Sequence, residues 1–248
     1  MNTIIEDRAD KQSKKLLSFR LYGSFAHFNQ PISNRFRNTY SVIPKPQLLG
    51  LIGSIVGLEG YKNKDTIPVF YQKLSNLKVY IKPNTNQDRK FAVTYNSMNS
   101  FLSNRVDAGP PNVIMNEQIL MEPDYEIGLL LNENNDIHKK IIEYVQDNRT
   151  TFPIYFGKNE FFANIQYISL EDYEINFVDN LVCNSILPFD ELGKGSASNV
   201  KLELLPIDFN EHFKYIYHLM AIPQKDCGIN IKNPSNFITS NGSIYYVF

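Results

Sequence analysis

Two stretches of the chain read as helices, each bracketed by segments that read as strands, and that order constrains the fold more than any other property of the sequence. The first is "PKPQLLGLIGSIVGLEG" (Pro44 to Gly60), an apolar run entered through two prolines, which suit a first helical turn, with Gly60 as the expected exit. The second, "NDIHKKIIEYVQD" (Asn135 to Asp147), sets Ile137, Ile141 and Val145 on one face behind Asn135 or Asp136 as cap. Strand patterns lie at Leu16 to Gly23, Pro68 to Pro83 and Lys90 to Asn96. Glu117 to Leu131 reads as a hairpin whose second arm is Tyr125 to Leu131, and a further strand starts at Phe161. Strand, helix, strand, strand or hairpin, helix, strand is the split βαβ plan, so the expected class is α+β, ferredoxin-like or RRM-type, in the order βαββαβ.

Three glycines, Gly50, Gly53 and Gly57, sit inside the first helical run, where each costs roughly 1 kcal/mol against alanine. On a helix they fall along one stripe. The expectation is close packing of helix on sheet at Gly53 and Gly57, and room for a ligand backbone at Gly50.

At 248 residues, 43% apolar and 21% charged, the chain has the composition of a globular protein able to bury a substantial core. Residues 1–15 read as a flexible leader, 16–170 as the ferredoxin-like domain and 171–248 as a β-rich extension; the alternative to one continuous unit is a boundary near Leu170. Segments Lys201 to Phe209, His212 to Ala221 and Ser243 to Phe248 carry the β signal of that extension. Two separated cysteines and four histidines without zinc spacing argue against a structural metal, and nothing calls for a cofactor. The longest apolar run is too short to span a bilayer, so a cytoplasmic protein with no membrane partner is expected.

The usual catalytic signatures are missing: no GxSxG, no GxxxxGK[ST], and no GxGxxG placed between strand and helix. Net charge is −1, yet from Lys11 to Leu58 there are seven Lys or Arg and no Asp or Glu. Within that stretch Phe25, His27, Phe28, Arg35, Phe36, Arg37 and Tyr40 interleave aromatic faces with guanidinium groups, which is what single-stranded RNA requires. The competing reading folds these aromatics into the core and leaves the arginines solvated. His27 has two readings as well: an acid or base beside a phosphate, or a buried histidine hydrogen-bonded beside the first strand.

The stretch "LSFRLYGSFAHFNQPISNRFRNTYSVIPKPQLLGLIGSIVG" resembles the N-terminal signature of the CRISPR-associated Cas five family, and "FPIYFGKNEFFANI" (Phe152 to Ile165) is similar to its later Phe-Gly turn and strand. The resemblance implies a hairpin thumb within 87–118 and a C-terminal β region. It implies a subunit of a type I interference complex, most like subtype I-B, that caps the 5′ repeat-derived handle of the guide RNA. Its partners would be the backbone subunit (Cas seven) and the large subunit (Cas eight), with target DNA met indirectly. Arg35, Arg37 and Lys45 would contact handle phosphates, His27 and Tyr40 bases or sugars, and Arg89 and Arg105 the backbone along the thumb. Gly50 would leave room for RNA, and Arg20 would either face the RNA or pair internally. One branch of the family cuts guide precursors with a Tyr, Lys and His set; Tyr40 aligns with that Tyr, but Arg105 to Ile119 holds neither Lys nor His. The resemblance therefore implies binding without catalysis. A metal-independent endoribonuclease and a purely protein-interaction subunit are the alternatives.

Overall fold

The computed structural model describes residues 14–33, 36–63, 66–86, 88–98, 112–173, 182–195, 200–232, 236–240 and 242–248. Most of the expected leader, Arg35 and Arg105 lie outside the described residues.

The first strand, β1 (Lys14–Gly23), is followed by α1 (Lys45–Val56), α2 (Val69–Leu74) and β2 (Lys78–Pro83). Two long strands, β3 (Lys90–Met98) and β4 (Asn112–Met121), precede β5 (Asp124–Asn132), α3 (Asp136–Gln146) and β6 (Ala163–Asp172). One sheet has the order β2-β5-β1-β6, with every neighbouring pair antiparallel. With α1 before β2 and α3 between β5 and β6, this is the ferredoxin-like βαββαβ arrangement, and the protein is α+β. The strands β3 and β4 pair antiparallel from Lys90 opposite Leu120 to Met98 opposite Asn112, forming a long hairpin inserted between β2 and β5. Beyond β6, β7 (Val200–Phe209) pairs with β8 (Tyr215–Pro223), and β9 (Phe237–Ser240) with β10 (Ser243–Tyr246).

Local chemistry explains the helices. Pro44 caps α1 in extended conformation, and Pro46 follows in the first turn, where a missing N–H costs nothing. Leu48, Leu49, Ile52, Ile55 and Val56 are buried in the main core. The helix ends at Val56, not Gly60, because Gly57 takes a left-handed conformation (φ 77°) and closes it. For α3, the Asn135 side chain accepts from the amides of Ile137 and His138, while Ile141, Ile142 and Val145 face the core.

Two expectations need correction. Pro68 to Pro83 is not one strand: its first half is α2, because Phe70, Tyr71 and Leu74 share one buried helical face behind Pro68. Glu117 to Leu131 is not a hairpin: at Glu122 (φ 47°) and Pro123 the chain passes from one sheet to the other, so β4 pairs with β3 while β5 pairs with β1 and β2. Period-two alternation looks the same in both cases; only the pairing partners differ.

The glycine stripe has a different cause from the expected one. A Cβ on Gly53 would lie 2.6 Å from the Cβ of Phe70, so this glycine admits helix α2, not a sheet. Gly57 is required by its φ and by Thr151, whose methyl would sit 2.9 Å from an added Cβ. At Gly50 the nearest atoms belong to the Phe70 ring at 3.5 Å, an ordinary contact. Gly53→Ala should therefore destabilise the fold by about 1–3 kcal/mol despite better helix propensity, while Gly50→Ala leaves stability unchanged or higher; chemical denaturation of the two variants checks the contrast.

Candidate nucleic-acid interface

The segment between β1 and α1 has no periodic pattern, yet it is tied down along its length. Phe25–Ala26 pairs antiparallel with Met121–Leu120 of β4, and Phe36–Arg37 pairs parallel with Asn116–Glu117 of the same strand. Thr39 Oγ1 accepts from the Phe28 amide at 2.9 Å, and Lys90 Nζ donates to the Thr39 carbonyl at 2.8 Å. Glu203 of β7 accepts from the Ser41 amide (2.9 Å) and from Gln30 Nε2 (3.2 Å), binding the C-terminal region to the same segment.

The two motif segments meet in space. The His27 amide donates to the Phe156 carbonyl at 3.0 Å, and the rings of Phe28 and Phe156 pack edge to face at 5.7 Å. Gly157 has φ 82°, and a side chain there would run into the His27 carbonyl. Next to it, Lys158 reaches the fully buried carboxylate of Glu117 at 2.5 Å, and Tyr95 of β3 donates to the other oxygen at 3.0 Å. Burial opposes the ionised form of Glu117, but Lys158, His27 and Tyr95 together outweigh it and hold the carboxyl below its ordinary value.

Around this ionic knot lie aromatic side chains that sequence reading did not single out. Phe25 packs on Phe91 (5.8 Å) and Phe161 (5.9 Å), and the Lys158 ammonium lies over Tyr95 (5.7 Å) and Phe161 (5.8 Å). Phe25 and Arg37 are exposed along β4, opposite Met121 and Glu117, and Phe36, opposite Asn116, is exposed as well. The alternation of Phe91, Val93 and Tyr95 marked a strand face; what that face meets depends on where β4 and the Gly157 turn come to lie.

The nominated residues separate into groups. Arg37 is exposed and forms no ion pair among the described residues. Arg20 is held by Asp124 through Nε at 3.1 Å and Nη2 at 2.7 Å, lying over the Tyr22 ring, so the internal-pair alternative describes it. Arg89 is exposed and paired with Glu122. His27 and Tyr40, which the resemblance set at bases or sugars, are core residues with 5% and 4% exposure, so the buried, hydrogen-bonded reading describes His27. The His27 ring shares a 2.8 Å hydrogen bond with the Gln118 carbonyl. The Tyr40 hydroxyl is pushed above its ordinary pKa by burial and by Tyr217. Lys45 is not displayed for a phosphate either: it packs under the Phe248 ring (5.7 Å) near Asp208 and Lys78, and burial pushes its pKa down to about 8.

This fold, with a charged aromatic surface at the root of an inserted hairpin, defines a ferredoxin-like α+β protein with a long β-hairpin between its second and third sheet strands. A family model described as CRISPR-associated protein (Cas_Cas5) matches residues 16–182. The chain belongs to the Cas five family. No curated protein matches the sequence. Among solved structures, a chain of a CRISPR RNA-guided surveillance complex is similar at TM-score 0.53 and 12% identity, over 87% of this chain and 91% of that one. A CRISPR protein from Archaeoglobus fulgidus is similar at TM-score 0.45 and 14% identity, over 94% and 97%.

Two outcomes follow. Lys158→Met strands a buried carboxylate and should destabilise the protein by about 3 kcal/mol, with much of the loss recovered in Lys158→Met plus Glu117→Leu, read by denaturant titration. Lys45 binds its proton less tightly when folded, so the unfolded chain holds more protons between about pH 8 and 10.5, and stability contributed here rises with pH in that window. Lys45→Met should therefore melt above wild type at pH 7, with the difference shrinking by pH 9.5.

Proposed function

We propose that this protein is the guide-RNA 5′-handle subunit of a type I CRISPR interference complex, most like subtype I-B, and that it binds without cutting. The single observation that carries the reading is the union of the two family segments at the hairpin root: the Phe156–Gly157 turn on His27 brings Lys158 over Tyr95 and Phe161, on which the exposed Phe25 packs, while exposed Arg37 pairs along β4 opposite Glu117. Cations for phosphates and flat rings for unstacked bases are the two elements of sequence-tolerant single-strand binding. The β3–β4 hairpin acts as the thumb. The solved chain of a surveillance complex supports membership of such an assembly, with the backbone and large subunits as protein neighbours and target DNA met only through them.

The absence of catalysis is part of the proposal. A general acid or base works best with a pKa near the operating pH and within reach of the phosphate. Tyr40 is buried and its pKa is raised, while His27 is buried with Nδ1 engaged by a backbone carbonyl. Among the described residues no helix is long and apolar enough to cross a membrane.

Fluorescence anisotropy with labelled repeat-derived RNA should show salt-dependent binding, and Arg37→Ala should weaken it several-fold while reducing the salt slope by about one unit. The same mixtures, incubated with chelator and run on a denaturing gel, should keep the RNA intact. Unchanged affinity in Arg37→Ala would remove the site assignment; cutting at one position would make the protein a nuclease.

A further inference from the structure

Behind the Gly157 turn the structure opens a cleft of about 630 Å³ between α1, the 58–61 segment and the 152–157 segment. Its mouth is ringed by the half-exposed aromatic side chains of Tyr61, Phe152, Tyr155 and Tyr215. Its wall includes Gly50, which leaves the helix bare on this side, and Gln47, in the first turn of α1. The Gln47 Oε1 is buried with no hydrogen-bond partner among the described residues. An amide oxygen left unpaired in an aromatic setting is costly, and turning toward a donor held in the cleft would relieve it.

We infer that this cleft receives one unstacked nucleobase bearing an exocyclic amine, adenine above all, from the single strand bound at the hairpin root. The inference rests on the RNA-binding reading and deepens it. Several half-exposed rings around one opening form a stacking site, and a glutamine amide offers the acceptor and donor that match the amine and adjacent ring nitrogen of adenine. The cleft and the hairpin root meet at one turn: Gly157 lines the cleft, and the next residue, Lys158, is the one that pairs with Glu117 of β4. Among the described residues no Lys or Arg lines it, which suits a base and not a phosphate. A peptide side chain from a partner subunit is the competing occupant; the unpaired amide and the shared turn favour the base.

The test uses the full chain and two labelled RNAs, a ten-nucleotide oligouridylate and the same strand with one central adenosine, at low salt. Wild type should bind the adenosine strand roughly tenfold more tightly. Gln47→Leu and Tyr61→Ala should each reduce that preference to within about twofold while leaving affinity for oligouridylate unchanged, and Gly50→Leu, which fills the cleft, should do the same. Tyr61 is half-exposed, so its variant guards against a folding artefact at Gln47. Equal binding of both strands by wild type, or a preference that survives in all three variants, overturns the base pocket and leaves the RNA reading standing. Preserved RNA behaviour with lost association to the other complex subunits assigns the cleft to a protein and likewise overturns it. Failure of wild type to bind either RNA removes the RNA reading itself, and the pocket with it.

Discussion

The Phe156–Gly157 turn lies directly on the backbone of His27, and that approach brings Lys158 to the root of the inserted hairpin. It requires a residue without a side chain at φ 82°, and it is sealed by the His27 amide on the Phe156 carbonyl and by the edge-to-face rings of Phe28 and Phe156. The turn delivers Lys158 to a carboxylate in the middle of β4, so the ferredoxin-like sheet and the inserted hairpin are joined by a buried ion pair. Such a pair adds little net stability over an apolar substitute, but it is geometrically selective, because one charge left alone inside is strongly unfavourable. Here the pair ties the turn that precedes β6 to both strands of the hairpin, through Glu117 of β4 and Tyr95 of β3.

The same junction divides the aromatic-basic segment between two jobs. His27, Phe28 and Tyr40 go inward, where their rings fill the core and their polar atoms find partners. Phe25, Phe36 and Arg37 stay outside, because the short pairings at 25–26 and 36–37 set them along β4. Neither sequence reading of this segment describes it whole: the RNA-facing one fails at His27 and Tyr40, and the one that folds the aromatics inward with solvated arginines holds for Phe28, Tyr40 and Arg37 but not for Phe25 and Phe36. Residues adjacent in sequence were sorted by strand pairing, and burial then withdrew the two groups best suited to acid–base chemistry.

The helices show how far local rules reach. Propensity identified α1 and α3, and their caps behave as proline and asparagine at a helix start should. The purpose of the glycines in α1 was not legible, because Gly53 answers to Phe70, seventeen positions later, and Gly57 to Thr151. The family resemblance made Lys45 a phosphate contact, but Phe248, about two hundred positions later, covers it. Tyr95, Phe91, Phe161 and Lys158 went unnoticed for the complementary reason: each is unremarkable in its own segment, and they gain meaning as neighbours.

The sequence by itself determined the order of most elements, the α+β class and the family, because hydrophobic period, caps and a few glycine-bearing turns are local and survive without partners. Only the tertiary structure decided that β4 belongs with β3 and not with β5, that Arg20 is held by Asp124, and which rings face solvent. Those outcomes depend on contacts between segments far apart in the chain, such as Arg20 with Asp124, whose separation is 104. A single strand's alternation records that it has a buried face; it carries no information about what lies against that face.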